Sequence, residues 1–370
     1  MKTCIALLAS MLCVATPTLA DDDSPSINID LHSRVSYLNN RIGNEINHAN
    51  SGYKGEYFLL SVSGQINDKI SYAWRQRLNK KIDNNSMFDA TDWLYVDYKF
   101  APNWSVAAGK QVVLIGGYEY DRNPIDVNVP SEYWNNIAPF QFGASASYTT
   151  NDGNHRFSGQ ISQSPYNMPM HRDMLSYNLF WAGKCGMLST LWSVNMVETT
   201  PYHYISYISL GNRIDINNAS LELDLMNRAA KHQTYLFKDC SVMARLDYRP
   251  IPQVGIFGKC AYDVNNTNVN ADPSVMPGTE LTTFGGGVEL YPVKDTDVRL
   301  SLGISHSTGT NSNPDGTVQN HQTQVRVGFV AKLNLLSWKK SPTKILSSSL
   351  ISSHNHTVGT KEIKRLHRPK

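Results

Sequence analysis

Leu94-Tyr95-Val96-Asp97-Tyr98-Lys99-Phe100, closed by Ala101-Pro102-Asn103, is the stretch that decides the fold. In an extended chain Leu94, Val96, Tyr98 and Phe100 share one face and Asp97 and Lys99 take the other, because successive strand side chains point to opposite sides. Ala-Pro-Asn is turn chemistry. Working outward, the same unit recurs from Ile27 to Trp338. Segments of roughly ten residues alternate apolar and polar, joined in turn by a tight polar connector and a long one, and few architectures other than an up-and-down β-barrel give that rhythm.

The tight connectors are Asn67-Asp68, Ala101-Pro102-Asn103, Asn151-Asp152-Gly153-Asn154, Gly183-Lys184-Cys185-Gly186, Asp215 to Asn218, Pro250-Ile251-Pro252 and Val293 to Asp297. These seven hairpins supply fourteen strands. Ile27 to Asn39 and Gln324 to Leu335 add the first and the last, which close on each other. The fold predicted is all-β: a transmembrane antiparallel barrel of about 16 strands. Leu221, Leu223 and Leu225 oppose Glu222 and Asp224, and Val298, Leu300, Leu302 and Ile304 oppose Arg299. The apolar set is assigned to lipid, where a Lys or Arg at mid-membrane costs about 2–4 kcal/mol. Trp93, Trp104, Tyr148, Tyr248 and Tyr291 fall near strand ends and are assigned to interfacial girdles. A soluble β-sandwich would share the alternation, but not the strict short and long connectors or the polar rows holding arginine. A water-filled lumen needs no packed core, which suits the sparse Leu, Ile, Val and Phe.

The ends are distinct. Residues 1–20 read as a signal peptide: Lys2, an apolar run from Ile5 to Val14, then Thr18-Leu19-Ala20 before Asp21-Asp22-Asp23. The barrel is placed at 21–338. Residues 339–370 are aperiodic, basic and rich in Ser and His, and are expected to be disordered. This tail carries +7 and the leader +1 of a net +3, which leaves −5 on the folded part. A nucleic-acid partner is therefore not suggested. Outside the leader stand Cys185, Cys240 and Cys260. Cys240 and Cys260 read as a diagonal pair on one hairpin, as free lipid-facing thiols rather than a disulfide.

Function would lie in the lining. Its basic wall is read as Arg34, Arg75, Arg77, Arg245, Arg299 and Arg326. Four of these occupy the first, third, fifteenth and sixteenth strands, neighbours once the barrel closes. The long connector from Val113 to Pro139, 27 residues, carries Glu119, Asp121, Arg122, Asp126 and Glu132. Loops of that length usually carry function. Folded inward, it would set acids opposite a basic wall across a constriction.

The run from Thr91 to Ile137 carries Trp93 to Phe100, Gly109-Lys110-Gln111, Gly116-Gly117-Tyr118-Glu119-Tyr120-Asp121 and Asn123-Pro124-Ile125-Asp126. It resembles the phosphate-selective porin O and P family. The resemblance implies an outer-membrane diffusion channel, trimeric, with an inward-folded third loop. Its phosphate-selective members carry an arginine ladder and a lysine cluster at the bottleneck. Here Arg122 is the loop's one cation, so the expectation is passage of small hydrophilic solutes and ions with a weak anion preference. Phosphate or anion selectivity is one alternative. Another is a plugged barrel that acts as an adhesin or docking protein through its outer loops.

No enzyme is read from the chain. Ser305-His306-Ser307-Thr308-Gly309 has the wrong spacing for a phospholipase barrel, and the acids and Asn between Asp263 and Asp272 fit no EF-hand. No cofactor and no metal site are implied.

Overall fold

The computed structural model describes residues 25–80, 86–168, 170–230, 236–267, 272–294, 296–316 and 318–340. The signal-peptide assignment at 1–20 and the tail beyond Lys340 lie outside the described residues. Sixteen strands form one antiparallel sheet closed on itself. They are β1 Ser26–Ile42, β2 Gly52–Gln65, β3 Ile70–Arg77, β4 Thr91–Ala101, β5 Trp104–Val112, β6 Phe140–Thr149, β7 His155–Gln163 and β8 Leu175–Cys185. The second half comprises β9 Leu188–Thr200, β10 His203–Ile216, β11 Ala219–Ala230, β12 Asp239–Ile251, β13 Val254–Asn265, β14 Glu280–Leu290, β15 Asp297–Thr310 and β16 Gln322–Lys339. A two-residue strand, Glu45–Ile46, folds back on the end of β1.

Closure is made by β1 and β16, which pair from Ser26 with Lys339 to Ile42 with Gln322. Closing removes every unpaired sheet edge, the condition for a strand-built membrane span. All seven predicted tight connectors fall at the joins between consecutive strands, several overlapping the strand ends. The alternation assigned the outer face well: Leu94, Val96, Tyr98, Phe100, Leu300, Leu302 and Ile304 are exposed on it.

The structure corrects three expectations. Trp93 and Tyr291 do not belong to a girdle. Trp93 is inward, 3.5 Å below the Arg75 guanidinium, and Tyr291 lies 4.0 Å below that of Arg249. Trp104 and Tyr148 do stack at the short-turn end, 4.9 Å apart. Cys240 and Cys260 are free, as read, and Cys260 is exposed, but Cys240 is buried rather than lipid-facing. Cys240 is in register with Val264 and Cys260 with Ala244. Four residues of strand rise separate them, roughly 13 Å, far beyond disulfide reach. The lumen is also not coreless. Val113, Ile115, Tyr120, Tyr133 and Ile137 of the third loop pack with Val197, Ile205, Tyr207, Met226 and Val275.

The outer face sets a stability test. Val96, exposed at mid-strand on β4, should lose about 2–4 kcal/mol on replacement by Arg. Denaturant unfolding of Val96→Arg in lipid vesicles reads the loss, and an unchanged midpoint would contradict a lipid-facing position.

Candidate functional site

The third loop, residues 113–139, folds into the barrel. It contains helix α1 (Tyr118–Asp121), a 3-10 turn (Pro124–Asp126) and helix α2 (Glu132–Asn136). Burying a loop brings its backbone polar groups out of water, and each then needs a partner. The lumen supplies them as a row of uncharged side chains and two acids. Gln160 Oε1 accepts from Leu114 N at 2.8 Å, and Asn195 Nδ2 donates to Leu114 O at 2.8 Å. Ser193 Oγ accepts from Gly116 N, and Ser209 Oγ donates to Gly116 O, both at 2.8 Å. The Asp224 carboxylate accepts from Tyr118 N at 2.9 Å and Glu119 N at 2.8 Å. At the loop's far end Asp263 accepts from Glu132 N at 2.9 Å.

Glycine allows the closest approach. A Cβ on Gly211 of β10 would lie 2.7 Å from the Gly117 Cα, and Gly117 itself has φ 110°. A side chain at Gly211 would force loop and wall apart.

Charge anchors the rest. Arg34 donates to the carbonyls of Ile125 at 3.2 Å and Val127 at 2.7 Å. Asp126 is paired with both Arg299 and Lys332, the latter at 2.8 Å. Burial alone would raise the Asp126 carboxyl, but Lys332 and Arg299 outweigh it and hold it well below the usual carboxylate range. Glu119 is paired with Lys259, which also donates to Val129 O at 2.6 Å. Arg122 is paired with Glu222. Asn123 meets His32 at 3.1 Å, and Arg326 donates to Asn128 O at 3.0 Å.

This geometry modifies the expectation of acids facing a basic wall across a gap. Glu119 and Asp126 touch wall cations directly, so their charge is neutralised on the spot. Glu132 is fully buried, takes a hydrogen bond from Asn136 Nδ2 at 2.7 Å, and is pushed up by burial. Asp121 is half-buried and makes no ion pair with a wall cation among the described residues. Burial pushes its carboxyl up to about 7, with Arg122 opposing and Glu222 adding to the rise.

The six wall arginines separate. Arg34, Arg75, Arg77 and Arg326 form one continuous cluster. Arg34 is 2.5 Å and Arg326 3.3 Å from Glu56, while Arg75 and Arg77 each lie 2.7 Å from Asp92. Aromatic rings link the two pairs: Tyr57 lies under Arg34 and Arg77, and Phe140 under Arg77 and Arg75. Arg299 is elsewhere, between Asp126, Glu289 and Asp297. Arg245 is bound to Asp247 at 2.7 Å on another wall.

The strand alternation missed Glu56 and Asp92. Each sits at an irregularity: β1 pairs Arg34 with Tyr57 and then Val35 with Gly55, and β3 pairs Arg75 with Trp93 and then Gln76 with Thr91. A bulge adds one residue and re-aims a side chain. Only a register, and not a period of two, reveals it.

A closed antiparallel barrel with an apolar belt, a polar lumen and a third loop folded through it is the architecture of outer-membrane β-barrels. The chain matches the family model Phosphate-selective porin O and P over residues 27–194, so the resemblance read around the third loop holds. Its fold is that of an anion-selective porin from Comamonas acidovorans, at 12% identity and TM-score 0.59 over 84% of this chain and 100% of that one. OmpT, an outer membrane protein of Vibrio cholerae solved in a trimer form, is similar at 12% identity and TM-score 0.57, with the same coverage. The outer membrane channel DcaP of Acinetobacter baumannii is similar at 9% identity and TM-score 0.53, over 86% of this chain and 100% of that one. No curated protein sequence matches the chain.

The buried Glu119–Lys259 pair sets a second test. Lys259→Met leaves Glu119 buried without its cation, which costs about 3–5 kcal/mol. The expected result is a lower melting temperature in detergent, largely restored by adding Glu119→Gln. A double variant no better than the single one would mean that the pair does not anchor the loop.

Proposed function

We propose that the protein is a passive diffusion channel for small hydrophilic solutes and ions, narrowed by its third loop and weakly selective for anions. The observation that carries this is the cluster of Arg34, Arg75, Arg77 and Arg326. Among the described residues, four guanidiniums there share two carboxylates, Glu56 and Asp92, an excess of two cations. Charge on a narrow, low-dielectric wall raises the local concentration of counter-ions. The loop's own acids do not cancel it, because Glu119 and Asp126 are neutralised by Lys259, Arg299 and Lys332 on other strands. Strong phosphate selectivity lacks support: Arg122 is the loop's one cation and is occupied by Glu222. The assembly is proposed to be a homotrimer in outer-membrane lipid, in line with the trimer form of OmpT. A monomer-sized particle in detergent would remove that part of the reading.

A second reading is favoured by one feature. The loop's apolar side packs against Val197, Ile205, Tyr207 and Met226, which occupies part of the lumen at the long-loop end. If this closes the passage, the protein is a plugged barrel acting through its outer loops.

Single-channel recording in a planar bilayer under a salt gradient separates these. Stepwise conductance with a small anion-leaning reversal potential is expected, and silence from folded protein would leave the plugged reading. Replacing Arg75 and Arg77 together by Gln removes that excess and should abolish the anion preference. An unmoved reversal potential would overturn the role given to this cluster.

Asp121 adds a pH dependence. The folded loop holds this proton more tightly than an unfolded carboxyl, whose ordinary pKa is near 4. Its contribution to stability is therefore complete below about pH 4 and is lost as pH rises through about 7. Over that rise the loop gains a negative charge, so the anion preference should shrink between pH 6 and pH 8. Asp121→Asn should flatten the profile, and an equally steep profile in that variant would assign it elsewhere.

A further inference from the structure

A cavity of about 320 Å3 opens on the long-loop side of the third loop, against β1, β2 and β14 to β16. That size lies at the small end of ligand clefts, which run to roughly 300–1,000 Å3. Its lining combines three kinds of group. Trp134 from α2 and Tyr57 from β2 offer aromatic faces. Arg34 and Arg326 offer guanidiniums that share the single carboxylate of Glu56, and Lys54 adds an exposed cation. The third kind is uncharged: Asn135 and Thr283 line the cavity, and each keeps one buried atom, Nδ2 and Oγ1, that has no hydrogen-bond partner among the described residues. Thr283 is 4% exposed. Buried polar groups are nearly always paired, so an unpaired set facing one cavity marks a place where a ligand would complete the bonding.

We propose that this cavity binds a sugar acid, a hydroxylated ring carrying one carboxylate, on its way into the channel. The ring suits the faces of Trp134 and Tyr57. The carboxylate suits the unbalanced guanidinium charge beside Glu56, with guanidinium–carboxylate pairing as the strong contact. The hydroxyls suit Asn135 and Thr283, which can donate and, for the threonine, also accept. Neutral sugars would leave the excess positive charge uncompensated. Small inorganic anions would leave the aromatic faces and the amide unused. The inference rests on the channel reading above and names a solute class for it.

The test uses sodium glucuronate, with glucose and acetate as controls, in two measurements on the full chain. In planar bilayers, millimolar glucuronate should interrupt the open-channel current in resolvable blocks, with glucose and acetate at least tenfold weaker. Calorimetry on the detergent-purified protein should show glucuronate binding in the same concentration range. Trp134→Ala and Thr283→Val should each weaken both signals about tenfold or more while stepwise chloride conductance continues. Acetate as effective as glucuronate would reduce the site to plain electrostatics and overturn the proposal, as would equal block by glucose. Normal conductance with neither block nor heat would overturn it and leave the channel reading standing. Binding heat from a protein that never conducts would retain the site and overturn the channel.

Discussion

A loop buried inside a barrel must find a hydrogen-bond partner for every backbone group it takes out of water, and the rest of this lumen is arranged around that requirement. Residues 113–119 cross from β5 toward β11 along a series of side chains that serve the loop's backbone groups: Gln160, Asn195, Ser193, Ser209 and Asp224. A net hydrogen bond contributes about 1 kcal/mol, but an unmade one costs about 1–3 kcal/mol. The row therefore works less by adding stability than by making one loop position acceptable and its neighbours unacceptable. The glycines enforce the same choice from the steric side, since Gly211 admits the loop at Gly117 only without a side chain.

Charge acts differently along the second half of the loop. Asp126 sits between Arg299 and Lys332, and Glu119 against Lys259. Desolvation makes such pairs costly to form and more costly to break, so they specify where the loop rests better than they stabilise it. The anchoring cations stand on β13, β15 and β16. The cations that outnumber their carboxylates among the described residues stand on β1, β3 and β16, joined by Tyr57 and Phe140.

The strand count, the hairpins and the outer face were legible in the sequence, because a period of two and Asn, Asp, Gly or Pro turns act locally. The site was legible in part. Arg34, Arg75, Arg77 and Arg326 fall on the lumen row of their strands, and closure makes those strands neighbours. Glu56 and Asp92 were hidden by bulges that shift the phase by one residue. Trp93 and Tyr291 were misassigned because an aromatic near a strand end serves equally as a girdle or as the bed for a guanidinium, and sequence spacing does not distinguish them. The apolar packing of the loop had a signal, Val113-Leu114-Ile115 directly after a strand, opposite inward Ile205 and Tyr207. It reads as packing only once the loop is known to turn in.

The two sets of charge follow from one constraint. A single loop lying in a lumen can neutralise only the wall it touches. The third loop carries its acids where it meets β13, β15 and β16, and it meets the β1 side through backbone carbonyls, with Arg34 donating to Ile125 and Val127 and Arg326 to Asn128. A carbonyl satisfies a guanidinium's donors without cancelling its charge. Arg34 and Arg326 can thus hold the loop and still leave a net positive wall, which an acid at the same loop positions would have removed. The choice of carbonyl over carboxylate toward Arg34 and Arg326, at residues 125, 127 and 128, is what allows one loop to be fixed in place while the lumen keeps a sign.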